Sequence, residues 1–176
     1  METTEIRERI ASSIKDFALP KYEEIPNVGL FLEQTVKYIN SYLSVLPGTG
    51  ITGSMVSNYV KKGIIPSPIK KQYSREQIAH LMFISVAKSV LTLEEIHAFI
   101  DIQNATYTAE TAYNYFASEL IHMLSVVSGL SDKYDEAPSD VSFEKVMLRN
   151  TIITTAHKIY LDMFFTEVGR KQTETK

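Results

Sequence analysis

Apolar residues recur at helical spacing along almost the whole chain. Ile6, Ile10, Ile14 and Phe17 predict an amphipathic helix that Leu19-Pro20 terminates. After the punctuation of Pro26-Asn27, a second stripe of Val28, Leu32, Val36, Ile39, Leu43 and Leu46 runs to Pro47-Gly48. Thr52 has the place and chemistry of an N-cap for a short helix that closes on Lys61-Lys62-Gly63, with Gly63 in the left-handed position just past its end. Tyr73-Ser74 opens another helix, and Thr92 with Glu95 has capping-box spacing for the next. Ala109, Tyr113, Phe116, Leu120, Leu124 and Val127 form a further stripe that ends near Gly129, before an acidic loop from Asp132 to Ser139 that contains Pro138. The last helix, from about Asp140 to Val168, is apolar on two adjacent faces. Val146, Ile153, Ala156, Tyr160 and Met163 lie on one, and Leu148, Ile152, Ile159 and Phe164 on the other. A helix that broad in its apolar content is expected at the centre of a bundle or shared with a second subunit. No strand-like alternation of useful length appears. The expectation is an all-α fold, one compact helical domain whose last two helices form an antiparallel hairpin.

Composition narrows the chemistry. The 176 residues, 44% hydrophobic and 22% charged, suffice for one good core and fit an ordered globular protein. With no cysteine, thiol nucleophiles, disulfides and thiolate metal sites are excluded. Neither a signal-peptide core nor an apolar run of membrane-spanning length is present, so a cytoplasmic protein without a membrane partner is expected. The chain divides into residues 1–106, comprising the N-terminal helices and the central helical unit, residues 107–168, the C-terminal hairpin, and a tail at 169–176.

Charge is unevenly placed. The net value is −3, yet Lys61, Lys62, Lys70, Lys71 and Arg75 against Glu76 alone leave residues 51–80 at +4, whereas residues 101–140 stand at −6. Within the basic segment, Val56 and a neighbour are expected to face inward while Ser54, Ser57, Asn58 and Lys61 face out. Small polar side chains approach base edges without steric conflict, and asparagine can pair bidentately with adenine. Lys70 and Lys71, in a short proline-containing loop, are placed to reach phosphates. Thr52, Ser54, Ser57, Asn58 and Tyr59 are therefore candidate contacts to double-stranded DNA from the helix. Lys61, Lys62, Lys70, Lys71 and Arg75 are candidate contacts around it.

Residues 42–100 resemble the MerR-type winged helix-turn-helix regulators. The blocks that carry the resemblance are TGIT (Thr49–Thr52), NYVKKGII (Asn58–Ile65), YSREQIAHLMFI (Tyr73–Ile84) and LTLEEI (Leu91–Ile96). That resemblance implies a central helix-turn-helix followed by a short wing, and a transcriptional regulator as the function. Ser54 and Ser57 stand where those regulators carry arginines, Asn58 replaces the first of two paired aromatics, and Lys71 matches the wing arginine. The whole chain also resembles a domain family of unknown function from low-GC Gram-positive bacteria in which LPKYEEIP and ITGSMVSNYVKKGIIP recur together. This implies that Leu19–Pro26 folds with the central unit.

Two other readings stay open. Glu94 with His97 and Glu119 with His122 have the Glu-x-x-His spacing of di-metal helical bundles, with Glu33 and Glu144 as further carboxylates, and would make the chain a metal-binding helical enzyme. Glu94 is already explained by its place in a first helical turn, and no nucleophile elbow or phosphate loop is present, so no enzyme, no metal and no cofactor are expected. Alternatively, the lysines meet an acidic protein and the chain is a helical protein-interaction module. A homodimer through the C-terminal helices is expected from the second apolar face, Leu148, Ile152, Ile159 and Phe164. The competing arrangement has the helix of Ile6, Ile10 and Ile14 cover that face within one chain.

Overall fold

The structure of the chain, a computed structural model, describes residues 3–132 and 142–174. Of the acidic loop expected at Asp132–Ser139, all but Asp132 lies outside the described residues. The elements run α1 (Thr3–Ile14), a single 3-10 turn (Tyr22–Glu24), β1 (Leu30–Phe31), α2 (Leu32–Leu43), α3 (Gly53–Lys61), β2 (Gln72–Tyr73), α4 (Arg75–Ala87), α5 (Leu93–Thr106), α6 (Ala109–Val127) and α7 (Phe143–Glu174). Among the described residues the fold is all-α apart from one antiparallel pair, Leu30 opposite Tyr73 and Phe31 opposite Gln72.

That pair alters the start of the second helix. The stripe was expected to begin at Val28, but Val28 is 74% exposed and α2 begins only at Leu32. Residues 30–31 are extended because they pair with the strand before α4. Gly29 permits this: a Cβ there would stand 2.6 Å from Gln72 Cβ, a distance no packed pair tolerates. Strands of two residues are too short to leave an alternation in the sequence.

The bundle is built around α4, in which every residue from Gln77 to Ala87 is buried. This central place was expected for the last helix. α4 packs against α2, α5, α6 and α7, and its apolar residues occupy all sides, so it has no polar face to give it away. Two of its polar side chains, Ser85 and Gln77, find partners inside the fold. Ser85 Oγ donates to Leu81 O at 2.7 Å, and Gln77 Nε2 donates to Pro66 O at 2.8 Å while its Oε1 accepts from Ser74 N at 2.8 Å.

α6 and α7 are neighbours as expected, but they run in the same direction. Tyr107 meets Ser142, Lys145 stands 4.8 Å over the Tyr115 ring, and Arg149 Nε bonds Glu119 Oε1 at 2.7 Å, so positions rise together along both helices. The antiparallel expectation assumed a tight return. A 19-residue helix is about 28 Å long, and the chain between Val127 and Phe143 is long enough to retrace it. α7 also continues past Val168 to Glu174, into the segment expected to be a tail.

Most of the apolar face that suggested a dimer is covered within the chain, Phe164 alone of its four residues being only partly buried. Ile6, Ile10 and Ile14 of α1 are buried, α1 packs on α7, and Leu148, Ile152 and Ile159 are all buried. Arg9 reaches Glu5 at 3.1 Å and Glu167 at 3.4 Å, tying α1 to the far end of α7. Only Leu161 and Phe165, beyond the covered stretch, remain large exposed apolar residues on the second half of α7.

His80 lies inside α4, 7% exposed, with no partner for its Nε2. Burial lowers its pKa below the ordinary 6.5, against the raising influence of Glu76 and of a hydrogen bond with Asn104. The folded protein therefore holds this ring neutral while the unfolded chain protonates it from about 6.5 downward. Stability is fully present above that pH and is lost as pH falls toward the depressed folded value. Thermal unfolding between pH 8 and pH 5 is expected to show a decline in Tm below pH 6.5 that is reduced in His80→Gln. An unchanged decline in the variant would assign the effect to other groups.

Candidate functional site

The turn from α2 to α3 is held from three directions. Asn40 uses both ends of its amide on one residue, with Nδ2 donating to Ile51 O at 2.8 Å and Oδ1 accepting from Ile51 N at 2.9 Å. Thr49, fully buried, donates its hydroxyl to Leu43 O at 2.9 Å and Leu46 O at 2.8 Å, which caps the end of α2. Lys88, just past α4, donates to Gly50 O. Burial lowers the Lys88 pKa from the ordinary lysine value.

This brace sets the direction of α3. Thr52 is the N-cap, its hydroxyl accepting from Met55 N at 3.3 Å and sharing a bond of 3.0 Å with Ser54 Oγ. At the other end Gly63 adopts φ +72°, while Gly63 N donates to Val60 O and Ile64 N to Tyr59 O, both at 3.0 Å. Val56 and Tyr59 are buried, and Ser54, Ser57, Asn58 and Lys61 are exposed at i, i+3, i+4 and i+7, one face of the helix. Ser57 folds its hydroxyl back onto Gly53 O at 2.9 Å, which leaves Asn58 as the exposed amide of that face.

Beyond α3, residues 64–73 return to the sheet through a two-residue turn. Ile69 bridges Gln72, Gln72 N donates to Ile69 O at 2.9 Å, and the tip residues Lys70 and Lys71 have φ of 50° and 64°. A tight hairpin turn with positive φ at both central positions ordinarily carries Asn-Gly, because other L-residues are strained there. Lysine at both positions puts two ammonium groups, both exposed, at the tip beside Ile69, which is 79% exposed. The hairpin and the end of α3 face each other across an open groove of about 740 Å³, with Val60 and Gly63 on one wall and Ile69 and Lys70 on the other. Ser54, Ser57, Asn58, Lys61, Lys70 and Lys71 are thus all in the open.

Three candidates lie elsewhere. Tyr59 is only 3% exposed, and burial raises its pKa; it belongs to the core beneath α3 and not to the outer face. Arg75 is a clamp. Its Nε donates to Ile25 O at 2.8 Å and its Nη2 to Glu23 O at 3.1 Å, and its guanidinium sits 5.6 Å from the Tyr22 ring centroid. With Tyr22 N bonded to Asn114 Oδ1 at 2.8 Å, this ties Leu19–Pro26 into the same folded unit. Lys62 stands 3.7 Å from Glu94 at the start of α5. Sequence reasoning passed over Asn40, Lys88 and Ile69. The first two act through contacts across the chain, but an isoleucine between Pro68 and two lysines is a visible signal of an apolar residue at a loop tip.

The Glu-x-x-His pairs do not converge. Glu119 is engaged by Arg149, Glu94 faces Lys62, and His97 stands 3.7 Å from Asp101. Among the described residues, no three His, Asp or Glu side chains gather as a metal would need. No helix among them is long and apolar enough to cross a membrane.

Residues 20–116 match the family described as Domain of unknown function (DUF1836), and the chain belongs to that family. The match begins at the Arg75-clamped segment and ends inside α6, so it takes in the brace, α3 and the hairpin. No curated protein and no solved structure matches the chain.

The strained tip makes a direct prediction. Replacing Lys70 with Asn and Lys71 with Gly is expected to raise stability by about 0.5–1 kcal/mol, since the new residues accept positive φ without the lysine penalty. Urea unfolding at pH 7 checks this, and a lowered midpoint would show that the lysines hold the turn by contacts of their own.

Proposed function

We propose that the exposed face of α3 and the Lys70-Lys71 hairpin bind double-stranded DNA together, and that the chain is a transcriptional regulator of the winged helix-turn-helix kind. The observation that carries the reading is the uncovered row of Ser54, Ser57, Asn58 and Lys61 on a helix whose direction is fixed by the Asn40 and Lys88 bonds. It agrees with the resemblance of residues 42–100 to MerR-type regulators. A short polar helix can enter the major groove, where Asn58 is the side chain suited to adenine and Ser54 and Ser57 admit close approach. The hairpin tip then lies along the backbone, with Lys70 and Lys71 at phosphates and Ile69 against sugar. Thr52 and Lys61 sit at opposite ends of α3, where backbone contacts fix the register.

The assignment differs from the sequence reading in its cation count. Arg75 is turned inward and Lys62 shares its charge with Glu94 in an exposed 3.7 Å contact, so Lys61, Lys70 and Lys71 are assigned as the main phosphate ligands. Because guanidinium forks are missing from the outer face, affinity rests on these ammonium groups and is modest.

Duplex binding is expected to be salt-dependent with a slope of log K on log salt of about −3 per protomer, the value for three neutralised phosphates. Lys70→Glu with Lys71→Glu should weaken every sequence alike. Asn58→Ala should change preference among sequences, by about 1–3 kcal/mol at the base it reads. Selection from fragmented genomic DNA by the purified protein, followed by titration of the selected duplex at several salt concentrations, measures all three. Failure to retain any duplex at low salt would overturn the proposal.

A further inference from the structure

A second site shares no lining residue with the groove beside the cationic hairpin. The end of α5, the first turns of α6 and the first turns of α7 enclose a cavity of about 470 Å³, within the range of small-molecule sites. Four aromatic rings line it: Phe99 and Tyr107 from α5 and its end, Tyr115 from α6, and Phe143 from α7. Met147 and Leu148 close the wall. The geometry points to a binding site for an uncharged, flat, largely apolar organic molecule with one hydrogen-bonding group.

Each term of that description follows from the lining. Aromatic faces are electronegative and flat, and they favour ring stacking over branched aliphatic bodies. An anion would meet those faces and the Glu144 carboxylate. A cation would meet Lys145, whose ammonium already occupies the Tyr115 face at 4.8 Å. Opposed charges on adjacent residues leave neither sign preferred, and desolvating a ligand charge in an apolar cavity is costly. The free polar group is Gln103. Among the described residues its side-chain amide has no hydrogen-bond partner, whereas Tyr107 Oη is bonded to Ser142 Oγ at 2.5 Å and Thr111 Oγ1 accepts from Thr108 Oγ1 at 2.9 Å. Gln103 can donate to a carbonyl or accept from an amide, which supplies one directional contact.

Nile red, a neutral flat dye with a ring carbonyl, is the probe. Titration of the full chain is expected to give saturable binding of one dye per protomer with a blue-shifted, enhanced emission. Thr111→Trp places an indole in the cavity from a surface position without disturbing the backbone cap at Thr108, and should weaken binding by about ten-fold or more. Gln103→Leu keeps the cavity apolar and removes the directional contact, and should weaken Nile red by about five-fold while leaving the hydrocarbon pyrene unchanged. Phe165→Ala, at an exposed ring far along α7, should change neither. Absence of saturable binding, or loss in Phe165→Ala with none in Thr111→Trp, would overturn the site. Far-UV circular dichroism checks the fold of each variant, and should Thr111→Trp misfold, weakened Nile red with unchanged pyrene in Gln103→Leu supports the site, and equal responses of the two dyes overturn it.

Discussion

The burial of α4 on every side is the constraint from which the remaining architecture follows. A helix without a solvent face must be enclosed by others, and α2, α5, α6 and α7 do so. Burial also favours an internal partner for each polar group on it, since an unmet hydrogen bond costs about 1–3 kcal/mol, and His80 Nε2 goes without one. Gln77 meets this demand by holding Pro66 O, which fixes the start of the loop that carries the hairpin. Just past its other end, the partly exposed Lys88 reaches Gly50 O, which fixes the turn before α3. The core helix thereby places both parts of the exposed polar surface, although it contributes no residue to it.

Local signals in the sequence were reliable where the physics is local. Thr52, Ser74 and Thr92 all cap helices as their spacing implied, and Gly63 and Gly129 both adopt positive φ past helix ends. These depend on free amides and carbonyls within one turn of chain. The outward set on α3 was legible for the same reason, since period 3.6 separates Val56 from Ser57 and Asn58 without knowledge of any partner. What could not be read depends on distant segments. Whether Arg75 meets phosphate or Ile25 O is decided by a strand of chain fifty residues away. Whether Tyr59 belongs to the outer face turns on how far the core extends under α3. The parallel course of α6 and α7 lay hidden in the length of their connection, which composition does not resolve into a direction.

The two candidate sites share α5. Its first turn meets α3 through Glu94 and Lys62, and its last turns form a wall of the aromatic cavity. A helix anchored at its middle by Ile96 and Ile100, both buried, transmits small displacements of one end to the other more readily than a loop would. The same helix leaves Ile102 exposed beside the cavity mouth, where polar residues would be usual.

The docking of α1 on α7 carries a consequence for how the protein is made. Arg9 and Glu167 lie 158 residues apart, so this contact is among the most non-local of the described residues and of the kind that forms slowly. Until α7 is made, Ile6, Ile10 and Ile14 lack most of the surface they bury against, since α1 packs chiefly on α7 and less on α6. The Arg75 and Asn114 bonds can tie Leu19–Pro26 to the central unit during that interval, but α4 stays open on the side that α7 later covers. A chain that still lacks α7 therefore exposes apolar surface on α1 and α4 together, a species open to chaperones and to premature association.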